Sequence, residues 1–255
     1  MTTPQIALYA LPGIPNMQAG DNIAHIILEA LKRAALALQD NDVLVVTQKI
    51  VSKAEGNAVN LDTVIPSKRA QDLAEATRKD PRLVEVILQG SRNVVRQREG
   101  LLVMETKHGW ICANAGVDRS NVAGPEGNIA LPLPVDPDAS ARAIRAELIE
   151  ATGADIAVII SDTHGRAWRL GALNLALGVA GMAPIADLRG QTDRFGYVLR
   201  STTVARADEL AAAAGLVTGQ AAEGLPVVLI RGANYPRGDG RAVDMQRPAN
   251  KDLFR

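Results

Sequence analysis

Three short, almost uninterrupted apolar runs limit what this chain can become: "DVLVVT" at 42–47, "DIAVIIS" at 155–161 and "VVLI" at 227–230. Each is too short for a helix and lacks a solvent-facing polar alternation. The first two suit buried strands, and the third reads as a strand. Between them lie segments with helical spacing. Ile23, Ile26, Ile27, Ala30, Leu31 and Ala34 recur on one face after Asp21, which has the chemistry of an N-cap. Helices are also expected over 67–78, 81–89, 139–152 (Ile144 and Leu148 inward), 170–182 and 205–217. Additional strands are expected over 5–10 and 198–204.

The stretch 94–115 reads differently. "VVRQRE", "LLVMETKHG" and "WICANAG" are separated by Gly100 and Gly109, the pattern of an antiparallel meander. That meander argues against a purely doubly wound parallel sheet. The expected fold class is α+β, with mixed sheets, a central antiparallel meander and flanking helices. The 255 residues suit one domain over 1–255, or two subdomains within it. A Pro- and Gly-rich passage at 116–137 is long for an unstructured loop, and such loops are functional or disordered.

Composition excludes several classes. Formal net charge is zero, so no global field draws nucleic acid or an anionic membrane. Aromatics make up 3%, too few for base-stacking platforms. The single cysteine, Cys112, permits neither an internal disulfide nor a cysteine zinc site, and its apolar neighbours make it a buried strand residue. Without a signal-peptide pattern or a membrane-length apolar run, a cytoplasmic protein is expected.

Chemistry concentrates where strands end. "IISDTHGRAWR" (159–169) carries Asp162, Thr163, His164, Arg166 and Arg169 directly behind a buried run. Asp118 follows the meander in "NAGVDRSN", and Gln220 and Glu223 lie in "GQAAEG". Asp118, Asp162 and Thr163 offer hard oxygen donors of the kind that hold magnesium beside phosphates; equally, the carboxylates could cap turns. Lys49 and Lys53 follow the strand at 42–47, and Arg166 and Arg169 would share a helix face; these bases fit phosphate binding or a solvated surface. Trp168 is expected to pack its loop against the sheet. No phosphate-binding G-x-x-x-x-G-K-[ST] loop, dinucleotide fingerprint, nucleophile elbow or paired histidine motif is present. Residue types alone leave the nucleophile unnamed.

Seven segments together carry a resemblance: "GIPNMQAGD" (13–21), "DVLVVTQKIVSKAEG" (42–56), "NAGVDRSNV" (114–122), "LPVDPDASA" (133–141), "SDTHGRAWRLG" (161–171), "VTGQAAEGLPVVLIRG" (217–232) and "RPANKDLF" (247–254). Their combination resembles the coenzyme F420 gamma-glutamyl ligase family over nearly the whole chain. The resemblance implies a ligase adding L-glutamate through a gamma-linkage to a deazaflavin precursor, with GTP hydrolysed to GDP and phosphate. It implies Mg2+ or Mn2+, and K+, as cations, and a homodimer. Asp118, Asp162, Thr163 and Gln220 are then the metal ligands. The GTP site comprises Ile14, Pro15, Asn16, Met17, Gln48, Lys53, Asn121 and the run Thr218, Gly219, Gln220, Ala221, Ala222, Glu223, Gly224, Leu225. Asp118, Asp162 and Lys53 carry the chemistry. The loops after 42–47, 110–115 and 155–161 are expected to meet around the phosphates. Arg166 and Arg169 are candidates for the acidic substrates, whereas His164 is not expected to be catalytic. Relatives with a fused C-terminal flavin domain are longer, and that activity is not expected here. Another acid acceptor on the same scaffold, or a GTP- or metal-binding regulator, would share these features.

Overall fold

The computed structural model describes residues 3–122 and 128–253. Its elements, in chain order, begin with β1 (Ala7–Ala10), α1 (Ile23–Arg33), β2 (Val43–Thr47), α2 (Gln48–Ala54) and β3 (Val59–Asn60). There follow α3 (Lys68–Thr77), α4 (Pro81–Gln89), β4 (Ser91–Arg98), β5 (Leu101–Thr106), β6 (Ile111–Ala113) and β7 (Ile129–Ala130). The second half holds α5 (Pro137–Thr152), β8 (Ala157–Arg166), β9 (Arg169–Ala180), β10 (Ala186–Asp187), β11 (Thr203–Val204), α6 (Arg206–Thr218) and β12 (Val227–Arg231).

The three apolar runs lie side by side in a five-stranded sheet of order β1-β12-β2-β8-β9. Only β2 and β8 run parallel; the other neighbours are antiparallel. Successive side chains point to opposite faces, and both faces are covered. Leu44, Val46, Val158, Ile160, Val227 and Leu229 meet Ile27 and Leu31 of α1 and Ile144 and Leu148 of α5. Val43, Val45, Ala157, Ile159, Val228 and Ile230 meet Ala207, Leu210, Ala211 and Ala214 of α6. This double burial explains why the strands read as continuous apolar runs.

The meander forms a separate antiparallel sheet, β4-β5-β6, giving an α+β fold. Leu102 and Met104 of β5 pack with Ala70 and Ala74 of α3, with Val84, Val86 and Ile87 of α4, and with Val117. Asp80 caps α4 by accepting from the Arg82 amide, and Pro81 starts the helix where its missing N–H costs nothing. Cys112 is buried in β6, as its neighbours imply, and burial pushes its thiol up to about 12.

Several expectations fail for local reasons. The cap of α1 is Asn22, which accepts from the His25 amide; Asp21 instead accepts from the Gln18 amide. Residues 170–180 of segment 170–182 are strand, not helix: β9 pairs with β8 along its length, and this ladder overrides the Ala and Leu helix propensity. In 198–204 only Thr203–Val204 is a strand, beside an isolated Thr192–Val198 bridge. The segment after 47 is helical rather than a loop. The passage 116–137 is not unstructured either: β7 pairs with β3, and Asp118 bridges to Leu131. Its residues 123–127 lie outside the described residues, as does Phe254 of the closing segment. Among the described residues, no helix is long and apolar enough to cross a membrane.

Gly178 shows how α5 is seated. A Cβ there would lie 2.3 Å from the backbone carbon and oxygen of Pro137. Beside it, the buried Asp138 carboxylate accepts from the Val179 amide at 2.8 Å and the Ala242 amide at 3.0 Å. A Gly178→Ala variant should therefore lose about 1–3 kcal/mol through overpacking against backbone. Urea unfolding checks this, and an unchanged midpoint would mean that α5 can shift without penalty.

Candidate functional site

The β2–β8 register pairs Thr47 with Ser161, so Gln48 and Asp162 emerge at the same sheet end. The Thr47 amide donates to Pro226 O, which brings the segment entering β12 to that end. The Leu11 amide donates to Val227 O, which brings the chain leaving β1 there as well. A cleft of about 600 Å³ opens where these chains converge. It is lined by Ile14, Pro15, Asn16, Met17, Gln48, Lys53, Asp118, Asn121, Asp162, Thr163 and all eight residues Thr218, Gly219, Gln220, Ala221, Ala222, Glu223, Gly224 and Leu225. Every metal-ligand, GTP-site and catalytic position implied by the resemblance thus lines one space, whereas Arg166 and Arg169 do not. Lys49, Ser120, Ser161 and Asn174 line it too.

Asp118 reaches the cleft from the smaller core, held by paired backbone hydrogen bonds with Leu131 at 2.9 Å. Gln48 Nε2 donates to its Oδ2 at 3.1 Å, and Lys49 Nζ lies 3.2 Å from the same oxygen. Burial, and then the Asp162 carboxylate, push the Asp118 carboxyl above its ordinary range; Lys49 pulls the other way. Lys53 Nζ donates to Asn121 O at 2.8 Å, and burial followed by Lys49 lowers its pKa. Asn121, with a left-handed φ of 55°, donates from Nδ2 to Ala221 O at 2.8 Å and ties two walls together. The exposed Glu223 carboxyl is held low by backbone amides, including that of Ala221, to which it sits at 2.8 Å.

Across the cleft, Thr163 Oγ1 lies 2.9 Å from both Asn174 Oδ1 and Gln220 Oε1, and Gln220 Nε2 donates to Asn174 Oδ1 at 3.1 Å. His164 is buried, and its Nε2 lies 3.1 Å from Asp162 Oδ2. It does not line the cleft; it braces the carboxylate from behind.

Among the described residues, no three His, Cys, Asp or Glu side chains cluster as a complete metal cage. The cleft instead offers two carboxylates that repel each other, a hydroxyl and an amide oxygen. Such a set suits a hard cation that completes its shell with water and phosphate oxygens. Gln48 Oε1 and Ser161 Oγ are buried at the cleft without a hydrogen-bond partner, as befits walls shaped for a polar ligand.

The stretch 159–169 behaves differently from its reading as a loop. β8 continues through Arg166, turns at Ala167–Trp168 and returns as β9. Arg166 and Arg169 face each other across this hairpin rather than sharing a helix face. Both are exposed and outside the cleft, and Arg166 donates to Gly171 O at 2.9 Å. Trp168 does not pack on the sheet: it is 85% exposed at the tip, with φ 65°. Asn174 and Ser161 escaped notice because nothing local marks them. Asn174 sits in a segment of helix-like composition, and Ser161 reads as the end of a strand.

The arrangement defines an α+β protein with acidic and basic groups facing each other across a polar cleft at a sheet end. A family model for F420-0:gamma-glutamyl ligase matches residues 13–232, and the chain belongs to that family. It is 50% identical over 254 residues to the coenzyme F420:L-glutamate ligase of Methanothermobacter thermautotrophicus, covering 98% of this chain and 99% of that one. The Methanocaldococcus jannaschii protein of the same name is 46% identical over 222 residues, covering 87% and 88%. That of Methanopyrus kandleri is 42% identical over 256 residues, covering 99% and 98%.

Burial of the Asp118 carboxylate, and then its nearness to Asp162, makes the site a source of instability. Because the folded pKa of Asp118 is raised, its ionised form costs the fold stability above that pKa, and the cost vanishes once pH falls below the unfolded value near 4. Metal-free Asp118→Asn protein should therefore melt at higher temperature than wild type at pH 7, with the gain shrinking as pH falls. Calorimetry across pH checks this; a lower melting temperature at pH 7 would mean that the Lys49 pair outweighs the repulsion.

Proposed function

We propose that the protein is a GTP-dependent ligase that adds L-glutamate through a gamma-linkage to the deazaflavin precursor of coenzyme F420. The observation that carries this reading is the meeting of Asp118, Asp162, Thr163 and Gln220 with Lys49 and Lys53 around one cleft, in a chain of this family. The relatives' name, coenzyme F420:L-glutamate ligase, points to the acceptor and the amino acid; the donor and base set supports a triphosphate with a hard cation.

The chemistry follows from the substrates. A carboxylate does not condense with an amine in water, because its leaving group is poor. A carboxylate oxygen of the acceptor attacks the γ-phosphorus of GTP, the bond to the β-phosphate oxygen breaks, and GDP leaves. The resulting acyl phosphate is attacked at carbon by the glutamate amine, which loses a proton as inorganic phosphate departs. The first step needs in-line positioning and neutralised phosphate charge. Asp118, Asp162, Thr163 and Gln220 would hold Mg2+ or Mn2+, with K+ as a further cation of the site. Bound there, the divalent ion supplies electrostatic neutralisation of phosphate oxygens. Lys53 adds a point charge, and its lowered pKa marks a site where burial sharpens electrostatics. The 14–17 and 218–225 segments would enclose the nucleotide.

Asp162→Asn should lower glutamate-dependent GDP release by about 10²–10³-fold, the scale of losing one preorganised electrostatic group. Product mass after incubation with GTP, Mg2+, glutamate and the deazaflavin acceptor reads nucleotide, acceptor and tail length together. Near-normal turnover would sink the assignment of Asp162. GTP binding without glutamate-dependent GDP release would favour a regulator, and turnover with another acid only would move the acceptor.

A homodimer is part of the same reading. The β8–β9 hairpin projects Leu170, 99% exposed, beside Trp168, and a second copy would cover this apolar tip. Leu170→Glu should shift the protein from dimer to monomer in light scattering. A wild-type mass would place the interface elsewhere.

A further inference from the structure

Asn174 is the strongest feature at the cleft to which neither the resemblance nor the comparisons give a role. It stands opposite Thr163 in the β8–β9 ladder and is only 4% exposed. Its side chain is wedged beneath α6: a Cβ added at Gly215 would lie 3.2 Å from its Nδ2. Its Oδ1 faces two partners at once, Thr163 Oγ1 at 2.9 Å and Gln220 Nε2 at 3.1 Å.

The hydrogen-bond count around Thr163 is what matters. Thr163 Oγ1 has two oxygens at 2.9 Å, Asn174 Oδ1 and Gln220 Oε1, and a hydroxyl has one proton to donate. Donated to Gln220, that proton joins the two residues to each other and occupies Gln220 Oε1. Donated to Asn174, it leaves the Thr163 lone pairs and Gln220 Oε1 adjacent with no proton between them. Two such oxygens repel unless a cation shares them. Asn174 favours the second arrangement twice: its Oδ1 takes the Thr163 proton, and the same oxygen holds the Gln220 amide nitrogen, so that Oε1 turns the other way. Burial strengthens both bonds, and the lock beneath Gly215 fixes the acceptor in place.

We infer that Asn174 is a positioning residue that orients the Thr163 hydroxyl and the Gln220 amide so that both present oxygen to a divalent cation in the cleft. This rests on the ligase reading above, which makes Thr163 and Gln220 cation ligands. Asn174 touches neither the nucleotide nor the acceptor in that scheme. It acts on the cation through two neighbours, as outer partners do in metal sites.

The test uses the full chain with saturating GDP and reads Mn2+ binding from the electron paramagnetic resonance of the free ion. Asn174→Ala and Asn174→Leu remove the acceptor; the first vacates the space below Gly215 and the second fills it, so either folded variant is informative. Both should bind Mn2+ about 10–100-fold more weakly, the usual effect of losing such a partner. The Mg2+ concentration giving half-maximal activity should rise in parallel. Asn174→Asp keeps an oxygen at the same place and should bind close to wild type, which a purely packing role, better served by Leu, would not produce. Wild-type Mn2+ affinity in the Ala or Leu variant would overturn the inference, as would an Asp variant that folds yet loses binding as fully as Ala. Asp162→Asn, measured alongside, separates the two levels: if it too binds Mn2+ normally, the cation reading fails, whereas weakened Asp162→Asn with unaffected Asn174 variants removes Asn174 alone.

Discussion

The single parallel pairing in the main sheet, β2 against β8, is what the candidate site depends on. Parallel strands end together, and ligands of open sheets gather outside those carboxyl ends. Here the register sets Val46 beside Ile160 and Thr47 beside Ser161. The first residue of α2 and the Asp162 carboxylate therefore leave the sheet side by side. β12 runs antiparallel on the other side of β2, so its start, not its end, reaches the same place, carrying the 218–225 segment with it. A one-residue slip would turn every apolar side chain to the wrong face, and both faces are filled. The packing that stabilises the sheet thus also fixes the geometry of the cleft.

Much of this was legible because the strongest signals are physical ones. Uninterrupted Val and Ile runs can only be doubly buried strands, and Asp80–Pro81 or Ser67 can start a helix without any neighbour's help. The chemical residues at strand ends were legible as a group, since oxygen donors and bases clustered behind apolar runs have few structural reasons to be there. What stayed hidden was set by partners distant in sequence. The chain 170–182 has helix-forming residues, and only the ladder with β8 makes it a strand. Other expectations hang on that one: with no hairpin in view, Trp168 is expected to pack and the two arginines to share a helix face. Asn174 was invisible for the same reason, because its meaning lies in Thr163 across the ladder and Gln220 from a third segment.

The cleft joins two separately packed cores. Asp162 and Thr163 come from the main sheet, while Asp118 comes from the end of the meander, anchored by its bridge to Leu131 near the small core of α3, α4 and β5. Direct ties cross the site from Gln48 and Lys49 to Asp118, from Lys49 to Ser120 O, from Lys53 to Asn121 O and from Asn121 to Ala221 O. All but the last begin on α2. That short helix, which in sequence is merely a lysine-rich segment after a strand, acts as the clamp between the cores.

Such a clamp has an electrostatic consequence. Two carboxylates from different cores repel across the cleft, and a single lysine, Lys49, partly offsets the charge of Asp118. Without further positive charge, holding the two carboxylates at one cleft costs energy. A cation shared by Asp118 and Asp162 would reverse that sign and draw the walls together. Binding energy would then be spent on closing the cleft as well as on holding phosphate, so ligand binding and the apposition of the two cores become one equilibrium. The orientation of Thr163 and Gln220 belongs to that equilibrium, because their two oxygens are compatible at 2.9 Å only when something positive, a proton or a metal ion, lies between them.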